Sequence, residues 1–246
     1  MLRTTLFTLL MTLMLAACGT SINQSIDIPD GSNVEHDLSN VNGSIRIGAD
    51  AMVSGRINNV NGSIQVGDRS TVGKINNVNG SIRVGNSATI AGVESVNGSL
   101  TIGAGAHIES GASTVNGRIR GEDGIRIDED LSTVNGGIEL GQGSHVAGAV
   151  RTANGRISLE GVTAGRLETV AGDITLLDGS RIEGELKVRR PNRMDNTVPR
   201  IVIGRESHVV GPLTFERAVK LYVHESAQIG EVSGAEPITF SGESPQ

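Results

Sequence analysis

The sequence has very few of the residues that most domains use to fill or brace a core. Among 246 residues there are no tryptophans, one tyrosine, three phenylalanines and one cysteine. A single cysteine excludes a disulfide-braced scaffold. Six prolines, without glycine at every third position, exclude a collagen-like helix. Disorder does not fit either, because 37% of the residues are apolar and Ile and Val recur throughout.

Glycine and asparagine are abundant instead. The 34 glycines are roughly 14% of the chain, about twice the usual ~7%, and they are accompanied by 17 asparagines. Together with the Ile and Val residues, they indicate a chain that turns often and stacks thin layers. The net charge of −6 argues against nonspecific nucleic-acid binding, which needs a dense basic surface. We therefore expect no nucleic-acid partner.

The first seventeen residues have the composition of an export signal. Arg3 precedes an apolar run over residues 4–15. This run is too short to cross a bilayer as a helix, which needs about 20 residues. Small residues then precede Cys18, as a signal peptidase requires, and place the cleavage between Ala17 and Cys18. The sequence thus predicts a signal peptide over residues 1–17.

The string Leu15-Ala16-Ala17-Cys18 resembles the lipobox of bacterial lipoproteins. The resemblance implies a thioether-linked diacylglycerol on Cys18 and acylation of the new N-terminus, and two or three acyl chains are enough for stable anchoring. Gly19 stands where aspartate favours inner-membrane retention in enteric bacteria, so we expect the outer membrane. The alternative is an ordinary secretory signal with a chance cysteine.

A repeat of 17 to 19 residues occupies most of the remaining chain. Val-Asn-Gly-Ser begins at four positions, and degenerate copies follow at four more: Val41, Val60, Val78 and Val96, then Val115, Val134, Ala153 and Val170. Such a period is typical of stacked repeat architectures. Within each unit the apolar residues alternate with polar ones, which is the signature of strands. In the first unit Val41, Ile45 and Ile47 share one parity, and we expect all three to point inward.

These features predict an all-β fold, a single-stranded parallel β-helix (β-solenoid) of about eight repeats of 18–19 residues plus terminal coils. Successive coils would pair in parallel about 4.8 Å apart. A right-handed sense is favoured because the hexapeptide rhythm of left-handed helices is absent. A second glycine recurs seven places after the Val and would form corners, through positive φ or close backbone approach: Gly48, Gly67, Gly85, Gly103 and Gly141.

The chain divides into five segments by the same criteria. Residues 1–17 are the signal peptide, and residues 18–39 are the lipidated N-terminus, tether and first cap. The solenoid repeats cover 40–188, and a basic, proline-bearing loop covers 189–200. Residues 201–246 form the terminal coils and C-terminal cap, where the few aromatic residues gather.

The repeated asparagines are the first candidate site. In stacked coils they would lie in register and form a structural amide ladder along the rod: Asn42, Asn61, Asn79, Asn97, Asn116, Asn135 and Asn154. The alternative is a polar stripe that faces a ligand. A second outward file stands five places after each Val and would either contact an anionic polymer or be a solvated strand surface: Arg46, Gln65, Arg83, Thr101, Arg120, Glu139, Ser158 and Thr175.

Candidate catalytic chemistry is sparse. His107 and His145 occupy the same outward position two coils apart, about 10 Å by the coil rise, which is too far to share one metal ion. Acidic residues cluster in the fifth coil, where a loop from Gly121 to Gly124 breaks the repeat, and paired carboxylates can cleave glycosides: Glu122, Asp123, Asp128, Glu129 and Asp130. The short loops offer no cleft, so we predict no catalytic residue, metal or cofactor, and no enzyme.

Several coil strings, such as Ile-Gly-Ala-Gly-Ala-His-Ile from Ile102, resemble the bactofilins, bacterial cytoskeletal polymers. The Thr-Val-Asn-Gly units are similar to a family of adhesin-like bacterial β-solenoids. The first resemblance implies end-to-end polymerisation, although an export signal is foreign to a cytoskeletal role. We expect a non-catalytic, lipid-anchored envelope scaffold that self-associates through its coil ends. The alternatives are an adhesin that binds an envelope glycan or protein through a strand face, and a polysaccharide-active enzyme.

Overall fold

The computed structural model describes residues 20–21, 23–191 and 197–245, and every regular element within them is a β-strand. All of the strand pairs are parallel and join one coil to the next, as in Ile45–Ile47 beside Ile64–Val66. The predicted all-β, parallel solenoid is therefore confirmed. Residues 1–17 and Cys18 lie outside the described residues.

Each coil contributes three strands, and equivalent strands of successive coils stack into three faces. Face 1 is a sheet of twelve strands that bounds about eleven turns, or roughly 50 Å of rod at ~4.8 Å per turn. Its strands are Ile26–Ile28, Ile45–Ile47, Ile64–Val66, Ile82–Val84, Leu100–Ile102, Ile119–Gly121, Ile138–Leu140, Ile157–Glu160, Ile174–Leu177, Arg200–Ile203, Lys220–His224 and Pro237–Phe240.

Faces 2 and 3 together form a second sheet of nineteen strands. Face 2 contains Asn33–Val34, Met52–Val53, His107–Ile108, Arg126–Ile127, Arg181–Ile182, His208–Val209 and Gln228–Ile229. Face 3 contains Thr20–Ser21, Leu38–Asn42, Ile57–Asn61, Ala112–Asn116, Leu131–Asn135, Leu186–Val188, Leu213–Phe215 and Val232–Ser233. Four longer strands run through both faces: Thr71–Asn79, Thr89–Asn97, His145–Asn154 and Thr163–Thr169.

The core is a set of Ile, Leu, Val and Ala files that run the length of the rod. On face 1, Ile82, Leu100 and Ile119 pair in register and are no more than 1% exposed. Because every layer is the same thin triangle of branched aliphatic side chains, the core has little use for aromatic bulk. This explains the shortage of Trp, Tyr and Phe.

The solenoid begins earlier than residue 40. Residues 18–39 were predicted to be a lipidated terminus, tether and cap, but Ile26–Ile28 pairs in register with Ile45–Ile47, and Leu38 is fully buried. This first coil lacks the Val-Asn-Gly string but keeps the inward apolar positions. Added to the eight repeats and the terminal coils that the sequence predicts, it brings the stack to about eleven turns.

The expectation that the motif valines point inward is wrong. The six motif valines from Val41 to Val134 are 37–44% exposed, whereas the preceding Asn40 is only 2% exposed. Alternation holds from Leu38 to Val41 and ends at Asn42, which is also exposed, just before the corner where Gly43 has a φ of 140°. The residues of the corner do not continue the pleat of the strand. Extending the alternation backward from the buried Ile45 across this corner therefore places Val41 inside the rod, which is incorrect.

The second glycine of each unit acts through close approach and not through positive φ. A Cβ on Gly48 would overlap Asp30 of the preceding coil. The left-handed residue at this corner stands two places later and is often not glycine, as in Asp50, Arg69 and Ser87, with φ between 54° and 57°. Because these three residues are not glycines, the sequence does not indicate their left-handed conformation.

Two irregular segments leave the stack intact. The sequence predicts a break in the repeat between Gly121 and Gly124, but Gly121 pairs in register with Leu140. The buried Ile125 side chain lies where a Cβ of Gly121 would stand. Between Leu186–Val188 of face 3 and Arg200–Ile203 of face 1, the described residues 189–191 and 197–199 contain no strand. Beyond them, Ile201 again pairs with Ile174.

Candidate functional site

Face 3 presents three parallel files of outward side chains over its first coils. The outer polar file consists of Ser39, Asn58, Asn76, Glu94, Ser113 and Ser132. The valine file consists of Val41, Val60, Val78, Val96, Val115 and Val134. The amide ladder consists of the repeated asparagines from Asn42 to Asn154. Each of these six coils therefore displays a polar residue, a valine and an asparagine in the same order.

The amide ladder is continuous through hydrogen bonds. The Nδ2 of Asn61 donates to Oδ1 of Asn42, and the same bond recurs up to Asn154, with all lengths between 2.7 and 2.9 Å. The structure thus brings all seven predicted residues together. It also adds Asn23, which accepts from Asn42 and has a φ of 64°. Asn23 is not followed by glycine, but its spacing of 19 residues from Asn42 would have identified it.

A second polar file, inside the rod, was missed by the sequence reasoning. It stands directly before each motif valine and is 0–6% exposed: Asn40, Asn59, Asn77, Ser95, Thr114, Thr133, Thr152 and Thr169. Asn59 Nδ2 donates to the Gly62 carbonyl at 2.9 Å, and Thr133 Oγ1 donates to the Gly117 carbonyl at 3.0 Å. The file therefore fixes the corner after face 3. The signal was available, since all eight positions before the motif are Asn, Ser or Thr.

We expect Asn79→Ala to lower the free energy of unfolding by about 1 kcal/mol, because Asn79 donates to Asn61 and accepts from Asn97, both at 2.9 Å. The loss stays small since the ladder is exposed. Asn154→Ala is the matched control: it removes only the bond to Asn135, because Ala171 follows in the next coil. Chemical denaturation should give about half the effect for Asn154→Ala. Two equal wild-type-like curves would contradict a structural ladder.

A shallow groove of about 560 Å³ runs along the first five coils of face 3, lined by the outer polar file and the valine file. Its walls are therefore Val methyl groups and Ser or Asn side chains. The one acidic residue in it, Glu94, is paired with Lys74 at 2.7 Å. The groove offers an extended, nearly uncharged surface, without the convergent acids and bases of a catalytic cleft.

Three of the five acidic residues predicted in the fifth coil have structural partners. Asp128 accepts from His107 Nε2 at 2.8 Å and from Arg126 Nε at 2.7 Å. The bond from His107 is the largest cause that holds the pKa of Asp128 below its usual range, and Arg126 adds to it. Asp123 accepts the backbone N–H of Gln142, and Asp130 that of Ala149. These three carboxylates bond to groups of neighbouring coils. They are not arranged as a pair of one catalytic acid and one catalytic base.

The other predicted positions lie where the register requires. His107 and His145 are separated by Arg126 of the intervening coil, so they do not meet. The file from Arg46 to Thr175 lies in register along the outside of face 1, with Arg46 bonded to Asp27 at 2.7 Å. Within the described residues, no group of three or more His, Cys, Asp or Glu side chains could hold a metal ion.

Comparison with known proteins adds no relative: no family model matches the chain, and no curated protein or solved structure is significantly similar to it. The described part of the chain contains strands and no helix, so it has no helix long and apolar enough to cross a membrane.

Proposed function

We propose that this chain is a non-catalytic, lipid-anchored scaffold rod of the bacterial cell envelope. The observation that carries the proposal is the continuous strand register of face 1 from Ile26 to Phe240, which makes one element of about eleven turns. A continuous core of this kind resists bending because each coil packs on both neighbours. The lipobox-like string ending at Cys18 supports attachment of this rod by its N-terminal end.

The surroundings of the acidic and histidine residues support a non-catalytic role. A general acid or base must be within reach of the proton that it moves. Asp128, Asp123 and Asp130 are instead occupied by groups of neighbouring coils. Substitution of these carboxylates should therefore lower the stability of the stack, and we expect no loss of a catalytic activity.

Glycan binding has less support from the surface. Sugar-binding sites commonly use aromatic rings, and the three files of face 3 contain none. The arginines of the face 1 file are spaced two coils apart at Arg46, Arg83 and Arg120, and Arg46 is bonded to Asp27. The scaffold role therefore has the stronger physical basis.

The anchoring is tested by palmitate labelling of the full chain in a bacterial host, followed by separation of inner and outer membranes. We expect the wild-type chain to be labelled and to sediment with the outer membrane. Cys18→Ser should lose the label and the membrane association. Gly19→Asp is the matched control, and it should keep the label and move to the inner membrane. An unlabelled wild-type chain, or a labelled Cys18→Ser variant, would overturn the proposal.

A further inference from the structure

Face 3 carries an exposed apolar stripe that the rod itself leaves uncovered. The six residues of the valine file are 37–44% exposed and stand one above another for six coils. Isolated exposed valines are ordinary, but a continuous line of them flanked by polar residues marks an interaction surface.

We propose that face 3 binds a second copy of this chain side by side, with the two valine files packed against each other and the two rods pointing in the same direction. The proposal deepens the scaffold function and rests on the anchoring proposed above, because two rods attached to one membrane by their N-terminal ends are held parallel.

The repeat distance of the three files favours a second copy as the partner. Over the six coils of the valine file, the three files recur once per coil, at about 4.8 Å. A partner that contacts every coil must carry the same repeat, and an in-register parallel sheet of the same chain does so by construction. Sheets with stacked identical side chains and asparagine ladders pack tightly against each other when their faces meet.

The order of the three files also suits a pair of identical rods. In two facing rods related by a twofold axis along the valine file, each valine meets the same valine of the other copy. The amide ladder of one copy then lies opposite the outer polar file of the other, so that Asn61 is placed against Asn58 and Asn116 against Ser113. Side-chain amides and hydroxyls can both donate and accept, so the two files are complementary.

The valine file lies in a nearly uncharged part of face 3. Over the six coils of the valine file, the outer polar file contains one charged residue, Glu94, which Lys74 already neutralises. The charged part of face 3 begins above it, with Arg151 between Asp130 and Glu168. Two copies can therefore approach along the valine file without placing like charges opposite each other.

The area sets the strength of the pair. A five-residue strand of about 17 Å and six coils of about 29 Å give roughly 500 Å² per copy, or about 1,000 Å² in total, which is the lower limit for a specific interface. Such a pair is weak in dilute solution. Confinement to one membrane raises the effective concentration and favours it.

The test is cross-linking of single-cysteine variants of the full, membrane-attached chain with a short bis-maleimide that spans the ~10 Å between packed sheets. Val60→Cys and Val134→Cys, tested separately, should both give dimers, because parallel rods place each residue opposite itself. Met52→Cys, which is 51% exposed on face 2, is the matched control and should give at least tenfold less dimer.

A charge variant checks the interface itself. Adding Val96→Glu to Val134→Cys places two carboxylates opposite each other and should reduce the dimer at least tenfold, while the thermal midpoint stays unchanged because Val96 is 41% exposed. Dimers from mixed Val60→Cys and Val134→Cys chains only would show antiparallel rods and overturn the proposal, as would equal yields from Met52→Cys. Cross-linking of the wild-type chain would reveal a free Cys18 thiol, which contradicts the anchoring and not the face 3 pair.

Discussion

Replacing Gly117 by alanine is expected to lower the free energy of unfolding by about 3 kcal/mol. A Cβ on Gly117 would overlap the carbonyl oxygen of Gly98 in the preceding coil. That oxygen belongs to the backbone and cannot move without disturbing the stack. By the usual scaling for a domain of this size, the thermal midpoint should fall by about 6–12 °C in calorimetry.

The same overlap recurs at this corner in the coils on both sides of Gly117. Gly62, Gly80, Gly136 and Gly155 each have the backbone of the preceding corner glycine where a Cβ would stand. Gly117 itself has no left-handed φ, so the cost of alanine there is steric. The file therefore exists because neighbouring coils approach too closely at this corner for any side chain.

Gly124→Ala is the matched control in the same coil. Gly124 has a φ of 69°, and the nearest atom to a Cβ there, the amide nitrogen of Gly105, is 3.9 Å away. Alanine at Gly124 therefore pays only the left-handed conformational cost of about 1–2 kcal/mol. If Gly124→Ala destabilised the chain as much as Gly117→Ala, the close approach of the corners would not be the cause.

The repeat interval was enough to predict the solenoid, its parallel pairing and the position of Asn42 relative to Asn61. These properties follow from periodicity, since residues one coil apart must lie above one another whatever the shape of the corners. The same reasoning could have added Asn23, which keeps the interval of 19 residues without the following glycine.

The direction of side chains at the corners could not be predicted in this way. Alternation by twos is a property of an extended strand, and it ends at the corner after the motif, whether the corner glycine has a positive φ, as Gly43 has, or not, as at Gly117. The outward Val41 and the inward Asn40 are both consequences of that corner. The surface proposed to pair with a second copy was therefore hidden from the sequence, because its valines were assigned to the core.

The left-handed corner between faces 1 and 2 was hidden for another reason. Asp50, Arg69 and Ser87 adopt a conformation that the stack imposes on them, and their residue types do not announce it. Tertiary pairing on either side fixes the backbone there. At equivalent positions in later coils glycine takes over, as in Gly105 and Gly124, which have φ of 66° and 69°.

Truncation of a central core residue should have an effect of similar size. Ile102→Ala is expected to cost about 2–5 kcal/mol, because Ile102 is fully buried between Val84 and Gly121 of the adjoining coils and the thin core has no other layer to fill the gap. Denaturant unfolding followed by circular dichroism measures this loss. Ile238→Ala, on a residue 51% exposed in the last strand, is the matched control and should change the curve by less than about 0.5 kcal/mol.

The position of the truncation along the rod should matter as much as its burial. Leu221 is as buried as Ile102 but lies in the strand next to the last one of face 1. In a stack where each coil contacts only its neighbours, a central defect weakens interfaces on both sides, whereas a terminal defect lets the end coil open alone. Hydrogen exchange of Leu221→Ala should therefore show faster exchange confined to the last coils, with a smaller change in the global midpoint than Ile102→Ala. Equal global losses from the two variants would mean that the rod unfolds as one cooperative unit, with no independent opening at its C-terminal end.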